Sequence, residues 1–575
     1  MKFLLTALNT KYIHSNPAIY SLRAYAVSKD PDLESHIELA EYTINNAFSD
    51  ILADLYRRKP DVIGFSCYIW NISHILELAE EIKKLLPAVQ IWFGGPEVSF
   101  NAEELLKKHR FLTGIIRGEG EKPFYDLMSL YRRAEEKGED LSKVTYIQPE
   151  DEGTELSEIP FLYQEDAPFE NRIIYYESSR GCPFRCSYCL SSIDKTVRLR
   201  DLDIVKKELS YFIEKKVKQV KFIDRTFNCN KKHAVSIWEY LLAHDNGVTN
   251  FHFEIAADLL GEEELSLLER FRPGAVQLEI GVQSTNEQTI REIDRKMDIE
   301  KLRTVVERIR KTGNIHIHLD LIAGLPYEDY VSFAQSFNDV FSMQPEQLQL
   351  GFLKVLKGSK MHDKAPEYGL VYRTQPTYEV LRTNWLPFDD VCRLKRIEEM
   401  VEIYYNSNQF TKTLPHAVKR FSSAFAFFEE LADYYERKGY FVQSPARSYR
   451  YQVLLSFLEE AAGITGQERA YFEEKMTIDL YLRENCKTRP SFAKELTPYR
   501  EKFRAFFQEE AREHRVLGGE YREYDARMLA RSVHIEPVFF ESETGEPAEK
   551  PEYLLFDYKK RSPLTGEAVV CRIGI

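Results

Sequence analysis

Twice along this chain, short runs of β-branched and aromatic residues alternate with longer stretches of helical periodicity, first within residues 1–131 and again within 171–365. No other feature restricts the fold as strongly. Strands separated by helices cannot pair as hairpins, so they align in parallel and bury both faces beneath the helices. In the first block residues 2–8, 36–40, 62–66, 90–94 and 114–117 read as strands, and 16–29, 48–58, 71–86 and 102–108 as helices. That order predicts a doubly wound, Rossmann-like α/β sheet whose ligand crevice lies beyond the carboxyl ends of its strands. Those ends gather residues 9–14, 66–70, 94–99 and 118–121, with two glycine-bearing turns, Gly94-Gly-Pro-Glu-Val-Ser99 and Arg117-Gly-Glu-Gly-Glu121. Glycines there let a ligand approach the backbone, and equally they make tight turns.

The second block repeats the pattern with strands expected at 173–178, 219–223, 251–255, 275–282, 316–322 and 348–355. Six β/α units predict a full or partial barrel, a (β/α)6 fold whose chemistry belongs to the strand carboxyl ends and the loops beyond them. Between the blocks, residues 132–170 are rich in Glu, Asp and Lys, carry Pro149 and Pro160, and read as a linker. Residues 366–575 form a third, mainly helical block, with helices expected at 391–405, 416–438, 451–462, 468–485 and 499–514 and short strands at 533–540 and 553–558. The aromatics Phe425, Phe427, Phe428 and Tyr434 are expected to pack helices together.

A chain of 575 residues exceeds what one hydrophobic core serves. No apolar run approaches the roughly 20 residues that span a bilayer, so no membrane span is expected. The start of the chain has a short apolar run without a small-residue cleavage site, and its eight cysteines do not form a disulfide framework; a cytoplasmic protein is expected. A net charge of −13 argues against a nucleic-acid surface.

Three of the eight cysteines, Cys182, Cys186 and Cys189, stand within eight residues, in the loop that follows the first barrel strand. At the spacing C-x3-C-x2-C their sulfurs can converge on one centre, and soft thiolates select zinc or an iron–sulfur cluster. A closed zinc site needs four ligands, and no fourth Cys or His is evident nearby. A cluster held by three thiolates keeps one iron open to another molecule.

From here the sequence resembles the radical S-adenosylmethionine enzymes. Tyr188 fills the aromatic position before the third cysteine, and further stretches follow in the family's order: Phe222-Ile-Asp-Arg-Thr-Phe-Asn228, Phe253-Glu-Ile255, Glu279-Ile-Gly-Val-Gln-Ser284, Asp320-Leu-Ile-Ala-Gly-Leu-Pro326 with Glu328, and Val355-Leu-Lys-Gly-Ser-Lys-Met361. The resemblance implies a 4Fe-4S cluster on Cys182, Cys186 and Cys189, whose open iron chelates S-adenosylmethionine and cleaves it to a 5'-deoxyadenosyl radical. It also implies a low-potential electron donor such as flavodoxin or ferredoxin. Asp224, Glu254 and Gln283 are the expected contacts to S-adenosylmethionine, with Gly324 giving the adenine room. The family's glycine-rich segment after the second strand is replaced here by residues 224–228.

With a doubly wound domain ahead of the barrel, the chain is similar to the cobalamin-binding branch of that family. The implied corrinoid contacts are Tyr68, Trp70, Gly94, Gly95, Glu97, Gly118 and Glu119. The motif D-x-H-x-x-G, whose histidine ligates cobalt, is absent; His14 follows the first strand instead and could reach a metal, though a lone histidine in a loop is more often a surface or hydrogen-bonding residue. The resemblance implies methyl transfer to a carbon of an unknown substrate. Its alternatives are a radical rearrangement or cyclisation with cobalamin as redox partner, or an iron–sulfur redox sensor without turnover. A second cysteine triad, as in radical methylthiotransferases, is missing, and Cys392, Cys486 and Cys571 are too scattered for auxiliary clusters. Residues 366–575 resemble a C-terminal domain of unassigned role found in one branch of these enzymes, and are expected to cap the barrel mouth and select the substrate.

Overall fold

The computed structural model describes residues 1–138, 144–147, 153–163, 169–541 and 544–575. They divide into two compact units, one of residues 1–329 and 351–388, the other of residues 330–350 and 389–575.

The first unit holds two sheets. In the first, β1 (Phe3–Asn9), β2 (Ile37–Thr43), β3 (Val62–Ser66), β4 (Gln90–Gly94), β5 (Gly114–Ile116) and β6 (Tyr146–Ile147) lie in the order β2-β1-β3-β4-β5-β6, all in parallel. Every residue of β1 is buried. Its Leu4 and Leu8 pack with Ile51, Leu55, Ile75 and Leu78 from helices Phe48–Arg58 and Ile72–Leu85. Phe3, Leu5 and Ala7 pack with Ile19, Phe124 and Leu127 from helices Pro17–Lys29 and Glu121–Lys137. Burial on both faces explains why this strand reads as a mostly apolar run, broken at Thr6.

The stretch expected as a linker differs in part. Residues 132–137, strong helix formers, continue the helix that begins at Glu121 until Gly138 ends it at φ 67°, and β6 adds a sixth strand beside β5. The segments 139–143, 148–152 and 164–168 of that expected linker lie outside the described residues.

The second sheet takes β7 (Ile174–Tyr176), β10 (Gln219–Phe222), β11 (Asn250–Ile255), β12 (Val276–Gln283) and β13 (His316–Ala323) in sequential order, as a partial barrel requires, and β14 (Gln347–Phe352) follows them in the chain. A small antiparallel pair, β8 (Ser179–Arg180) with β9 (Arg198–Leu199), brackets the cysteine loop, and a second, β15 (Val371–Tyr372) with β16 (Val380–Arg382), follows the barrel strands. Along β12 exposure alternates strictly: Val276, Leu278, Ile280 and Val282 are buried while Gln277, Glu279, Gly281 and Gln283 are only partly so. The barrel interior is accordingly polar.

Doubly wound domain and barrel are joined by Glu41 at the end of β2. Its carboxylate accepts from Arg172 (2.6 Å), Tyr20 (2.7 Å), Asn9 (2.9 Å) and the backbone N–H of Asn16 (2.8 Å).

In the second unit, helix Tyr330–Ser342 packs on helix Ala424–Arg437 through Phe337, whose ring centroid lies 5.6 Å from Phe425 and 5.7 Å from Phe428. The aromatics of this stretch are core, as expected. The helix expected over 416–438 is broken, because Ser423 caps a new helix by accepting from the N–H of Ala426 (3.1 Å) after a short turn at Val418–Arg420. The chain closes with an antiparallel sheet of β17 (Val533–Phe540), β18 (Pro547–Arg561) and β19 (Ala568–Ile573), one strand more than the periodicity indicated.

Candidate functional site

Cys182, Cys186 and Cys189 share one loop beyond β7, and its backbone is tied to three neighbours. The N–H of Cys182 donates to Asp194 O (3.3 Å), that of Ser187 to Ile293 O (2.9 Å), and that of Met361 to Ser187 O (2.8 Å). Gly181, at φ 95°, permits the first of these: a Cβ there would lie 2.1 Å from Thr196 O. Cys182 and Cys186 are buried, Cys189 is partly exposed, and all three thiols are free of disulfides. Three free thiols within one loop are a soft donor set that fits an iron–sulfur cluster.

Arg295, which sequence reading passed over, stands beside that loop. Its guanidinium donates to Cys186 Sγ (3.6 Å) and Tyr188 Oη (3.4 Å), and also bonds Gly281 O. The spacing of 109 residues from Cys186 hides the pairing from any local pattern.

The expected S-adenosylmethionine contacts fall into two groups. Glu254 on β11 and Gln283 on β12 face the polar interior. Gln283 is held at φ 73° at a bulge, a conformation non-glycine residues adopt under constraint, and its side chain folds over Gly281, where a Cβ would lie 2.2 Å from Gln283 Nε2. Burial, with the adjacent charge of Glu279, pushes the Glu254 carboxyl up to about 7. Asp320 on β13 faces the same space; burial, then Glu279 and Glu254, raise it to about 8. Glu279 itself is half-buried, but His252 Nε2 lies 2.9 Å from it and Lys221 donates to it (3.0 Å), and these neighbours bring it down to about 2. His318 lies 3.1 Å from Asp320.

Asp224 and Gly324 do not match their expected roles. The Asp224 carboxylate is fully buried and accepts from Ser178 N–H (3.0 Å), Ser178 Oγ (2.7 Å) and Ser179 Oγ (2.6 Å), so it anchors the segment leading into the cysteine loop instead of facing open space. Burial lifts it to about 6 even so. The space above Gly324 is filled by Val380 of β16, 2.7 Å from where a Cβ would stand, so the missing side chain serves packing there.

A cavity of about 480 Å³ opens along the carboxyl edge of the first sheet. Tyr68, Gly94, Gly95, Gly118 and Glu119 line it on one side, and Arg180, Gly181, Leu190 and Arg225, around the cysteine loop, on the other. It continues inward between β1, β3 and the helices, against Leu5, Ile19, Leu22 and Phe124. Gly95, at φ 111°, has no room for a side chain, since a Cβ would sit 2.5 Å from Cys67 O. A cleft at the strand ends with an apolar extension fits a corrinoid, a flat ring with a long appendage.

Three expected corrinoid contacts are engaged elsewhere. Glu97 accepts from Tyr378 Oη, with Lys357 Nζ 3.9 Å away, and does not line the cavity. Glu119 does line it, but its carboxylate is taken by Arg180 (3.0 Å), Arg198 and the N–H of Thr154 (3.1 Å). Trp70 lies outside the cavity wall, donates to Leu8 O (3.3 Å), and stacks on Tyr68 with ring centroids 4.4 Å apart. His14 is hydrogen-bonded to Tyr175 Oη at 2.6 Å.

Comparison with known proteins accounts for most of the chain. Residues 6–128 match the B12 binding domain, 176–340 the radical SAM superfamily, and 366–556 a protein family of unknown function, DUF4080. The cobalamin-dependent radical SAM methyltransferase TokK of Streptomyces tokunonensis is 24% identical over 59% of this chain and 54% of its own length. The 2-(S-pantetheinyl)-carbapenam-3-carboxylate methyltransferase of Streptantibioticus cattleyicolor is 25% identical over 66% of this chain and 59% of its own. The chain thus spans little more than half the length of these relatives. Among solved structures, that of the cobalamin-dependent S-adenosylmethionine radical enzyme OxsB superposes with a TM-score of 0.56 at 15% identity, over 83% of this chain and 78% of the other, a likeness of fold. No helix among the described residues is long and apolar enough to cross a membrane. Sheet order, cysteine loop and domain matches agree: the chain carries a B12-binding domain, then a radical SAM domain, then a DUF4080 domain.

Proposed function

We propose that this protein is a cobalamin-dependent radical S-adenosylmethionine methyltransferase acting on an unactivated carbon of its substrate. The observation that carries the reading is the shared cavity: residues at the corrinoid-type edge of the first sheet and residues of the cysteine loop line one space, so ligands held by each would meet there. When bound, a 4Fe-4S cluster on Cys182, Cys186 and Cys189 supplies the electron that cleaves S-adenosylmethionine, and cobalamin supplies the methyl group.

The chain's own residues bind, orient and shield. Glu254 and Asp320 present carboxyls that titrate near neutrality to a ligand that carries positive charge on its sulfonium and amino groups. Gln283, at the bulge of β12, would take the carboxylate end. Asp224 holds the Ser178–Ser179 segment so that the loop keeps its geometry. The β15–β16 pair, seated by Val380 over Gly324, limits access of water to the end of β13. Tyr68, Gly94, Gly95 and Gly118 form the corrinoid wall. We place the protein in the cytoplasm, with an acidic low-potential carrier such as flavodoxin or ferredoxin as electron donor; its acidic total charge fits no nucleic-acid partner.

The test is anaerobic purification from cells supplied with cobalamin, then incubation with S-adenosylmethionine and a chemical reductant. Methyl transfer predicts 5'-deoxyadenosine together with S-adenosylhomocysteine, and a base-off cobalt(II) resonance near one per chain without nitrogen splitting. 5'-Deoxyadenosine without S-adenosylhomocysteine replaces methyl transfer by rearrangement or cyclisation, and no cleavage at all leaves a redox sensor.

A further inference from the structure

Three cysteines hold the loop's centre, yet the one cation among the described residues that hydrogen-bonds a cysteine sulfur is Arg295. Its position is over-determined. The backbone N–H of Arg295 donates to Ile290 O (3.1 Å), and Asp294 before it adopts φ 53°. Ile293 in the same turn accepts from the N–H of Ser187, between Cys186 and Cys189. The guanidinium is therefore pinned at both ends: by the turn that carries it, and by Gly281 O at the β12 bulge. Its Nε is buried without a hydrogen-bond partner. A cation so held stays beside the sulfur at the cost of few free rotamers.

We propose that Arg295 sets the reduction potential of the metal cluster held by Cys186, acting as a positioning and charge-balancing residue through the thiolate. The inference rests on the cluster assignment above and concerns which side chain tunes it. A hydrogen bond to a cysteinyl sulfur withdraws electron density from it, and a nearby positive charge stabilises the reduced, more negative cluster. Both effects raise the potential, and both are strongest where water is scarce. Tyr188, the second recipient of the same guanidinium, fixes the fork's orientation so that one Nη stays on the sulfur.

The experiment is an electron paramagnetic resonance redox titration of the full chain with reconstituted cluster, without S-adenosylmethionine, for wild type, Arg295→Gln and Arg295→Lys. Iron content and thermal midpoint are measured on the same samples. The proposal expects Arg295→Gln to bind iron near the wild-type level but to reduce at a distinctly lower potential, and Arg295→Lys, which keeps the charge but not the fork, to fall between. Equal potentials in the three proteins overturn it, and so does a Gln variant shifted upward. If Gln loses the cluster, the Lys variant decides by the same comparison. A wild type that takes up no iron on Cys182, Cys186 and Cys189 defeats the cluster reading instead, which separates the two failures.

Discussion

Replacing Glu254 by glutamine isolates the cost of placing a carboxylate inside the barrel. Glu254 sits beside Glu279 in the register of β11 and β12, and burial followed by that neighbouring charge raises it from an ordinary 4.5 to about 7. The folded state therefore holds its proton more tightly than the unfolded chain. Its favourable contribution is complete below about pH 4.5, fades as pH rises from there to about 7, and is gone above that. A shift of this size corresponds to roughly 3 kcal/mol across the window. Glutamine has the same shape and no charge, so Glu254→Gln should match wild type at pH 4.5 and exceed it by up to about 3 kcal/mol at pH 8.5. At about 2 °C or more per kcal/mol for a unit this large, the difference amounts to several degrees in the thermal midpoint of the first unit. Calorimetry of ligand-free protein at the two pH values reads it directly. The same variant should bind S-adenosylmethionine more weakly at pH 8.5, since the charge that costs stability is the charge proposed to hold the ligand. Equal midpoint differences at both pH values would refute the argument, because they would mean that Glu254 ionises as it does in water.

Further outcomes follow from other contacts. Cys186→Ala should abolish cluster binding and all cleavage of S-adenosylmethionine; retained cleavage would sink the cysteine assignment. In Gly181→Ala a Cβ meets Thr196 O at 2.1 Å on a backbone with φ 95°, so the loop must move; strain of about 1–2 kcal/mol or more, with iron content reduced by at least half, is expected by iron assay against an unchanged far-ultraviolet spectrum. Arg172→Met leaves the buried Glu41 carboxylate without its cation while three hydrogen bonds remain, and should destabilise the first unit by about 3 kcal/mol at pH 7, read as a lowered denaturation midpoint.

Much of the fold was legible because it is encoded locally. Strands β10 to β13 were placed to within a residue or two, since fully or half-buried strands between helices carry a periodicity that needs no partner to be seen. The sixth strand β6 was missed because two residues have no periodicity, and the helix break at Ser423 because a serine cap was overridden by the surrounding aromatic pattern. Site residues fared according to the range of their partners. The cysteines reveal themselves by mutual spacing, whereas Glu97 and Tyr378 meet across 281 residues and Glu119 and Arg198 across 79.

By itself, then, the sequence determined the two parallel sheets, the loop of three thiols, the glycines that the turns at 95 and 181 require, and the polar stripe of β12, because each is a property of neighbouring residues and of backbone sterics. Only the tertiary structure decided which polar groups are spent on holding the fold and which remain for a ligand. Asp224 goes to Ser178 and Ser179, Glu119 to two arginines and Gly324 to Val380, while Glu254, Asp320 and Arg295 face the interior and the cysteine loop. The physical reason is that a buried charge takes whichever partner the fold brings within hydrogen-bond reach, and that partner is set by strand order and loop path rather than by proximity along the chain.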